Sequence, residues 1–197
     1  MDKKYFVGRI QQKEGNPMKK LIGFMLILQI LFCVGISAGY DETVDINTLD
    51  YIDAVQLIAK QELEGKADNL VVSKSNFRGK VIKVEYVSTE PIWDSTDFVR
   101  TAFSHYVDIC KEAYVHKDAI EIYFNVKAVV NDSTGWPETK TLIYLLMSID
   151  KFNTYDWDNL PNKKLDFKAV SKDCKIFNLM QPLSFDFDVN NFYYIGK

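Results

Sequence analysis

The alternation of apolar and polar residues along this chain predicts two helices and four strands between residues 48 and 149. Apolar residues recur every three or four positions over about 48–64 and 95–115, which is the spacing of an amphipathic helix. Asn47 precedes the first of these segments and is suited to cap it. Alternating or β-branched runs, the pattern of strands, occupy residues 69–75, 80–88, 119–130 and 141–149.

Short polar connections join the predicted strands in pairs. "NFRG", with Gly79 suited to a hairpin turn, separates the first two strands, and "NDSTGWPE" separates the last two. The element order α-β-β-α-β-β predicts an α+β fold of two layers, with an antiparallel sheet of about four strands and two helices on one face. Residues from Lys151 onward form an irregular C-terminal tail. It is too rich in aromatics to be disordered, so we expect it on the second face of the sheet.

A cationic and then apolar segment precedes the predicted domain. Lys19 and Lys20 are followed by the apolar run 21–36, in which Gln29 is the one polar side chain, and then by small residues. This is the order of a secretory signal, so residues 18–38 are predicted to be a signal peptide. Residues 1–17 then follow from an upstream start codon read in error, with Met18 as the initiator.

An uncleaved anchor and a lipid anchor are the alternatives for this segment, and both stay open. Residues 1–20 carry six Lys/Arg against two acids. By the positive-inside rule, 1–17 would then be a cytoplasmic leader and 21–38 an uncleaved anchor, the chain's only contact with the membrane. A lipid anchor would require modification of Cys33, although Phe32 stands where a small residue is expected. In each of the three cases, residues 39–197 form a single globular domain outside the cytosol, secreted or in the cell envelope.

The charge of this domain argues against one class of partner. Residues 39–197 carry 18 Lys/Arg and 25 Asp/Glu, a formal charge of −7. Binding to nucleic-acid phosphates requires the opposite sign, so nucleic acid is disfavoured, as is adsorption to an anionic membrane surface.

Two cysteines remain in the domain without the leader, Cys110 and Cys174. An even pair in an oxidising compartment is compatible with a disulfide. Cys110 also lies in the apolar stripe of the second predicted helix, where a free buried thiol is equally compatible with the pattern. The sequence leaves both alternatives open.

The usual motifs of catalysis and cofactor binding are missing. The two histidines and two distant cysteines do not have the spacing of a zinc site, and no calcium loop, phosphate-binding glycine loop or serine-hydrolase elbow occurs. His105 and Cys110 are five residues apart, so on a helix they point to different sides, with His105 expected at the surface. We therefore predict no metal and no cofactor, and the pattern argues against an enzyme without deciding the question.

The segment "YDWDNL", residues 155–160, carries the most chemistry. Extended chain puts Asp156 and Asp158 on one side and Trp157 on the other, as in a carboxylate pair or a sugar-stacking aromatic; Trp157 as a loop anchor is the alternative. Aromatic residues are frequent both at recognition surfaces and in cores. The candidate binding residues are Trp93, Trp136, Tyr155, Asp156, Trp157 and Asp158.

The order helix, hairpin, helix, hairpin, followed by a D-W-D-N element and preceded by an M-K-K leader, resembles small exported bacterial proteins of unassigned function. The likeness covers residues 48–160 and implies export but no activity. The sequence therefore predicts an exported binding or interaction module whose partner is a protein or a cell-envelope component. The alternative is a carboxylate-dependent hydrolase, built around Asp156 and Asp158, that acts on cell-envelope or extracellular material.

Overall fold

A computed structural model of this chain describes residues 45–75, 81–90, 92, 94–116, 121–181 and 183–196. Within them the strands are β1 (Ala67–Lys74), β2 (Val81–Ser88), β3 (Glu121–Asn131), β4 (Pro137–Met147) and β5 (Cys174–Leu179). The helices are α1 (Tyr51–Glu62), α2 (Ser95–His116), α3 (Ile149–Phe152), α4 (Phe167–Asp173) and α5 (Leu183–Asp186), and 3-10 turns lie at Ile46–Thr48, Trp157–Asn159 and Val189–Asn191. The predicted α+β class is confirmed.

The five strands form one mixed sheet in chain order. β1 and β2 are antiparallel, as are β3 with β4 and β4 with β5. β2 and β3 are parallel, with Val81 opposite Glu121 and Val87 opposite Lys127. The prediction of four antiparallel strands therefore differs in two details, the parallel pair in the centre and the additional strand β5.

The length of α2 explains the parallel pair. Its 22 residues span about 33 Å, which is comparable to the length of the strands. The helix therefore carries the chain from the end of β2 back to the end of the sheet where β2 began, as a parallel neighbour requires. The hairpin within each pair of strands was predicted correctly, but the direction of one hairpin relative to the other depends on this crossover.

The core lies between one face of the sheet and the two long helices. Alternate residues of β2 from Ile82 to Tyr86, and of β3 from Ile122 to Ala128, point to this face and are buried, as the alternation predicts. α1 is capped by Asp50, whose Oδ1 accepts hydrogen bonds from the backbone N–H groups of Ile52 and Asp53. Asn47, the predicted cap, belongs to the preceding 3-10 turn. The inward strand residues are Ile82, Val84, Tyr86, Ile122, Phe124, Val126 and Ala128.

The C-terminal tail packs beside α2, on the helix side of the sheet. Phe177 of β5 lies opposite Leu145 and stacks on Phe103 of α2. Nearer the C-terminus, the Tyr194 hydroxyl donates to Asp108, and the backbone N–H of Ile195 donates to Ser104 Oγ at 2.8 Å. The expectation that the tail covers the second face is wrong, because its aromatic residues complete the apolar surface along α2.

Two sequence expectations fall outside the described residues. They are the predicted leader, residues 18–38, and the turn at Gly79. Within the described part of the chain, no helix combines the length and apolar character needed to cross a bilayer.

Candidate functional site

Trp157, one of the candidate binding residues, is a core residue. Its side chain is 5% exposed, and its ring contacts Phe103, Phe152, Tyr155 and Tyr194. The indole N–H donates a 2.9 Å hydrogen bond to the carbonyl oxygen of Phe152. The ring therefore anchors the loop after α3, and it is not available to stack on a ligand at the surface.

Asp156 and Asp158 lie on the surface on either side of this anchor. Asp156 Oδ2 accepts a 2.7 Å hydrogen bond from Asn159, and Asp158 forms a 2.7 Å ion pair with Lys111 of α2. The Asp158 side chain is 82% exposed. Among the described residues, no group of three His, Cys, Asp or Glu side chains converges as a metal site would require. Both carboxylates therefore make local contacts that fix the loop and the surface of α2.

Tyr155 links the same loop to the end of α4. Its hydroxyl donates to Asp173 Oδ2 at 2.9 Å, and Lys151 forms an ion pair with the other oxygen of Asp173 at 3.1 Å. Burial and the Asp173 carboxylate raise the pKa of Tyr155, so its hydroxyl stays protonated at neutral pH. Its ring stacks on Trp157 at a centroid distance of 4.8 Å.

Trp136 is the candidate aromatic that the structure exposes, with 73% of its surface accessible. It lies at the turn between β3 and β4, where Asp132 Oδ1 accepts hydrogen bonds from the N–H and hydroxyl of Thr134 and from the N–H of Trp136. The Asp132 N–H donates to the Trp136 carbonyl at 2.8 Å, and Gly135 supplies the positive φ of 87°. The backbone under Trp136 is therefore fixed while its ring is in water.

This turn ends a two-stranded projection, which we call the hairpin arm and define as residues 128–140. β2 pairs with β3 as far as Lys127, and β5 pairs with β4 from Ile143 onward. Among the described residues, the strand segments of the arm therefore pair with each other and with no third strand. Val129, 56% exposed, lies on the arm together with Trp136. Trp93, the other candidate tryptophan, lies outside the described residues.

A polar cluster occupies the second face of the sheet. Glu85 of β2 accepts hydrogen bonds from Lys127 at 2.8 Å, Lys83 at 3.1 Å and the Asn125 amide. Burial opposes ionisation of Glu85, but the hydrogen bonds from Lys127 and Lys83 outweigh it and hold its pKa below the ordinary value. Sequence reasoning did not predict this cluster, although its members are the polar residues of two strands in which polar and apolar residues alternate. The contacts of Glu85 with Lys127 and Asn125 join β2 to β3, so the cluster stabilises the register of these two strands.

A cavity of about 610 Å³ opens beside α4. It is lined by residues 164–168, by Ser171, and by Val189 and Asn190 of the last 3-10 turn. Sequence reasoning did not find it, because its two walls are about twenty residues apart in the chain and meet only in the folded tail.

Cys110, which is buried, and Cys174, which is half-buried, are free thiols in this structure. Burial raises the pKa of Cys110 to about 12, and it raises that of Cys174 to about 12 as well. Thiolate, the nucleophilic form, is therefore scarce at neutral pH at both positions. Neither cysteine is placed as a catalytic nucleophile.

In comparisons with known proteins, no family model, curated protein or solved structure matches this chain.

Proposed function

We propose that this protein is an exported binding module that engages a protein of the cell envelope through its hairpin arm, with Trp136 as the anchor residue. The proposal combines the leader predicted from the sequence with the surface that the folded domain presents. It assigns no reaction to the chain.

The observation that carries the proposal is the exposure of Trp136 on a fixed backbone. A large apolar ring that stays 73% exposed gains free energy when a partner buries it. Tryptophan is also among the residues most enriched at the energetic centres of protein interfaces. Because Asp132 already fixes the turn, binding costs little backbone entropy.

Charge favours a protein partner over a lipid surface. The side chain of Asp132 accepts a hydrogen bond from the N–H of Trp136, and the one lysine of the arm, Lys140, is paired with Glu138 at 2.8 Å. The domain as a whole carries a formal charge of −7. An anionic bilayer would repel this surface, whereas an apolar pocket on a protein accepts the ring without a charge requirement.

A sedimentation assay with washed envelope fragments tests the proposal. The full-length chain, the variant Trp136→Ala and the matched control Phe185→Ala are compared at several concentrations. Phe185 is 74% exposed and lies on α5, away from the arm in the chain, so the control removes an equally exposed aromatic. We expect Trp136→Ala to weaken binding about tenfold or more, and Phe185→Ala to bind like the parent chain.

Two further experiments identify the nature of the partner. Any contribution of the predicted leader is common to all three chains, so the difference between the variants isolates the arm. Protease treatment of the envelope fragments is expected to abolish the difference, and lipid vesicles made from the same envelope are expected to show none. Equal binding of the two variants, or a Trp136 effect that survives proteolysis, would contradict the proposal.

A further inference from the structure

The cavity beside α4 is a preformed site of the size that small molecules occupy. Its volume of about 610 Å³ falls within the range of ordinary ligand pockets. Its two walls are held together by backbone hydrogen bonds, from Leu165 N–H to the Phe192 carbonyl at 2.9 Å and from Asn162 N–H to the Tyr194 carbonyl at 2.7 Å. The backbone of Lys164 also pairs with that of Tyr193 in an isolated antiparallel β-bridge. The cavity therefore does not need a ligand in order to form.

Two ammonium groups at this cavity lack a counter-ion in the part of the chain that the structure describes. Lys164 and Lys168 both line it, and neither forms an ion pair with a described residue. The one carboxylate in the lining, Asp166, is engaged as the cap of α4, where its Oδ1 accepts hydrogen bonds from the N–H groups of Lys168 and Ala169. The lining thus carries an excess of positive charge within a domain of formal charge −7.

One wall of the cavity is apolar. Leu165, Phe167 and Val189 contribute to it, and the Phe167 ring is locked edge-to-face against Phe177 and Phe192 at about 5 Å. Val189, 48% exposed, is one of the larger apolar side chains that the fold leaves in water. A ligand that covers this wall would remove that apolar surface from water.

We propose that this cavity binds a small amphipathic anion. A carboxylate or phosphate head pairs with Lys164 and Lys168, and a short apolar chain lies against Phe167 and Val189. Two lysines against one aspartate give the lining a formal charge of +1, which attracts an anionic head and repels a cationic one. Two lysines suit a single head group and are too few for a nucleic-acid backbone. This site is independent of the hairpin arm.

Lysine footprinting on the full-length chain tests the proposal. Acylation of each lysine by a water-soluble ester is followed by mass spectrometry during titration with octanoate, octyl phosphate, acetate, inorganic phosphate and 1-octanol. We expect octanoate or octyl phosphate to protect Lys164 and Lys168 saturably, at concentrations about tenfold lower than acetate, inorganic phosphate or octanol require. Lys163 and Lys172, exposed neighbours that do not line the cavity, are the internal controls.

Variants separate a specific site from general attraction. Ligand binding to the variants is followed at the backbone amides of Ser171 and Asn190, by NMR or hydrogen exchange. In the double variant Lys164→Gln/Lys168→Gln, the effect of the ligand on these amides is expected to be lost. The double variant Lys163→Gln/Lys172→Gln is expected to retain it. The relative effect of octanoate and octyl phosphate identifies the head group. The proposal would be overturned if all four lysines were protected equally, or if protection did not saturate. It would also be overturned if octanol were as effective as octanoate, or inorganic phosphate as effective as octyl phosphate.

Discussion

The phenol oxygen of Tyr106 accepts a 2.8 Å hydrogen bond from the backbone N–H of Met147, and both residues are fully buried. The bond joins the middle of α2 to the last residue of β4. The pairing of β4 with β5 shifts register between Leu146 and Met147, so this N–H lies where the ladder is irregular. Tyr106 thus supplies an acceptor at a position where the regular pattern of the sheet is interrupted.

Removing this acceptor is expected to destabilise the fold. Tyr106→Phe keeps the ring in the core but leaves the Met147 N–H buried without a partner, which costs about 1–3 kcal/mol. The control is Tyr144→Phe, since the Tyr144 hydroxyl makes no hydrogen bond to a described residue. Urea unfolding measures both. A Tyr106→Phe variant as stable as the control would mean that water or a local shift satisfies the N–H.

Burial of His105 makes the stability of this protein depend on pH. The ring is 6% exposed, and its Nδ1 shares a 3.2 Å hydrogen bond with the Tyr86 hydroxyl, in which the donor depends on the imidazole tautomer. Burial, with a smaller effect of the Lys66 charge, lowers the pKa of His105 to about 4, below its ordinary value of 6.5. The unfolded chain therefore binds a proton at this position before the folded chain does, as pH falls.

The resulting pH dependence has a defined sign and window. The stabilisation is complete above about pH 6.5 and is lost as pH falls towards 4, by roughly 3 kcal/mol in total. In His105→Gln this component is absent, so its free energy of unfolding is expected to fall less steeply between pH 7 and 4. Urea unfolding across this range measures the difference in slope, and NMR titration of His105 in the parent chain measures its pKa directly. An NMR value near 6.5 would refute the assignment.

His105 also illustrates where sequence reasoning reached its limit. Helical periodicity placed it on the polar side of α2, opposite Val99, Phe103 and Tyr106, and predicted it at the surface. The periodicity of α2 was read correctly, but the helix is covered on more than one side. The Tyr86 hydroxyl forms a hydrogen bond with His105, the charge of Lys66 acts on the ring, and the tail covers the neighbouring Ser104. A hydrophobic stripe identifies the side of a helix that faces the sheet, but it does not show which other segments cover the remaining sides.

The strands likewise include some that the sequence pattern predicts and one that it does not. The strand pairs β1–β2 and β3–β4 were predictable, because each depends on alternation and a short polar turn. β5 was not, because its sequence "CKIFNL" lacks that alternation and its place was set by Phe177 packing on Phe103. Trp136 was a sequence candidate by type alone. Its exposure follows from the length of the arm beyond its neighbours, which only the strand register reveals.

Both thiols of the domain are expected to react slowly while the chain is folded. Burial raises the pKa of Cys110 and of Cys174 from 9.0 to about 12, which lowers the thiolate fraction about a thousandfold at a given pH. In a Cys33→Ser background, a thiol reagent at pH 8 should find two thiols only after unfolding in urea. A thiol that reacts rapidly in the native chain would contradict this prediction. If the chain unfolded in urea showed no reactive thiol until a reductant was added, Cys110 and Cys174 would instead be joined by a disulfide.

The Asp132 side chain is expected to hold the hairpin arm in its binding conformation. Asp132→Ala removes the acceptor shared by the N–H groups of Thr134 and Trp136, so their amides should exchange about tenfold faster. Envelope binding should weaken, but less than in Trp136→Ala, because the ring is still present. Asp158→Ala is the control, since it removes a surface carboxylate that pairs with Lys111 and accepts no hydrogen bond from the turn.

The pH dependence of this turn provides a separate test of the same bonds. The Thr134 hydroxyl, followed by the backbone N–H groups of Trp136 and Thr134, lowers the pKa of Asp132 below its ordinary value of 3.8. The stabilising effect is therefore present above that value and is lost only as pH falls through the lower folded-state pKa. Protection of the Trp136 amide, corrected for intrinsic exchange, should be constant from pH 7 to 4 and decrease below. Loss of protection already at pH 5 would show that the carboxylate does not hold the turn.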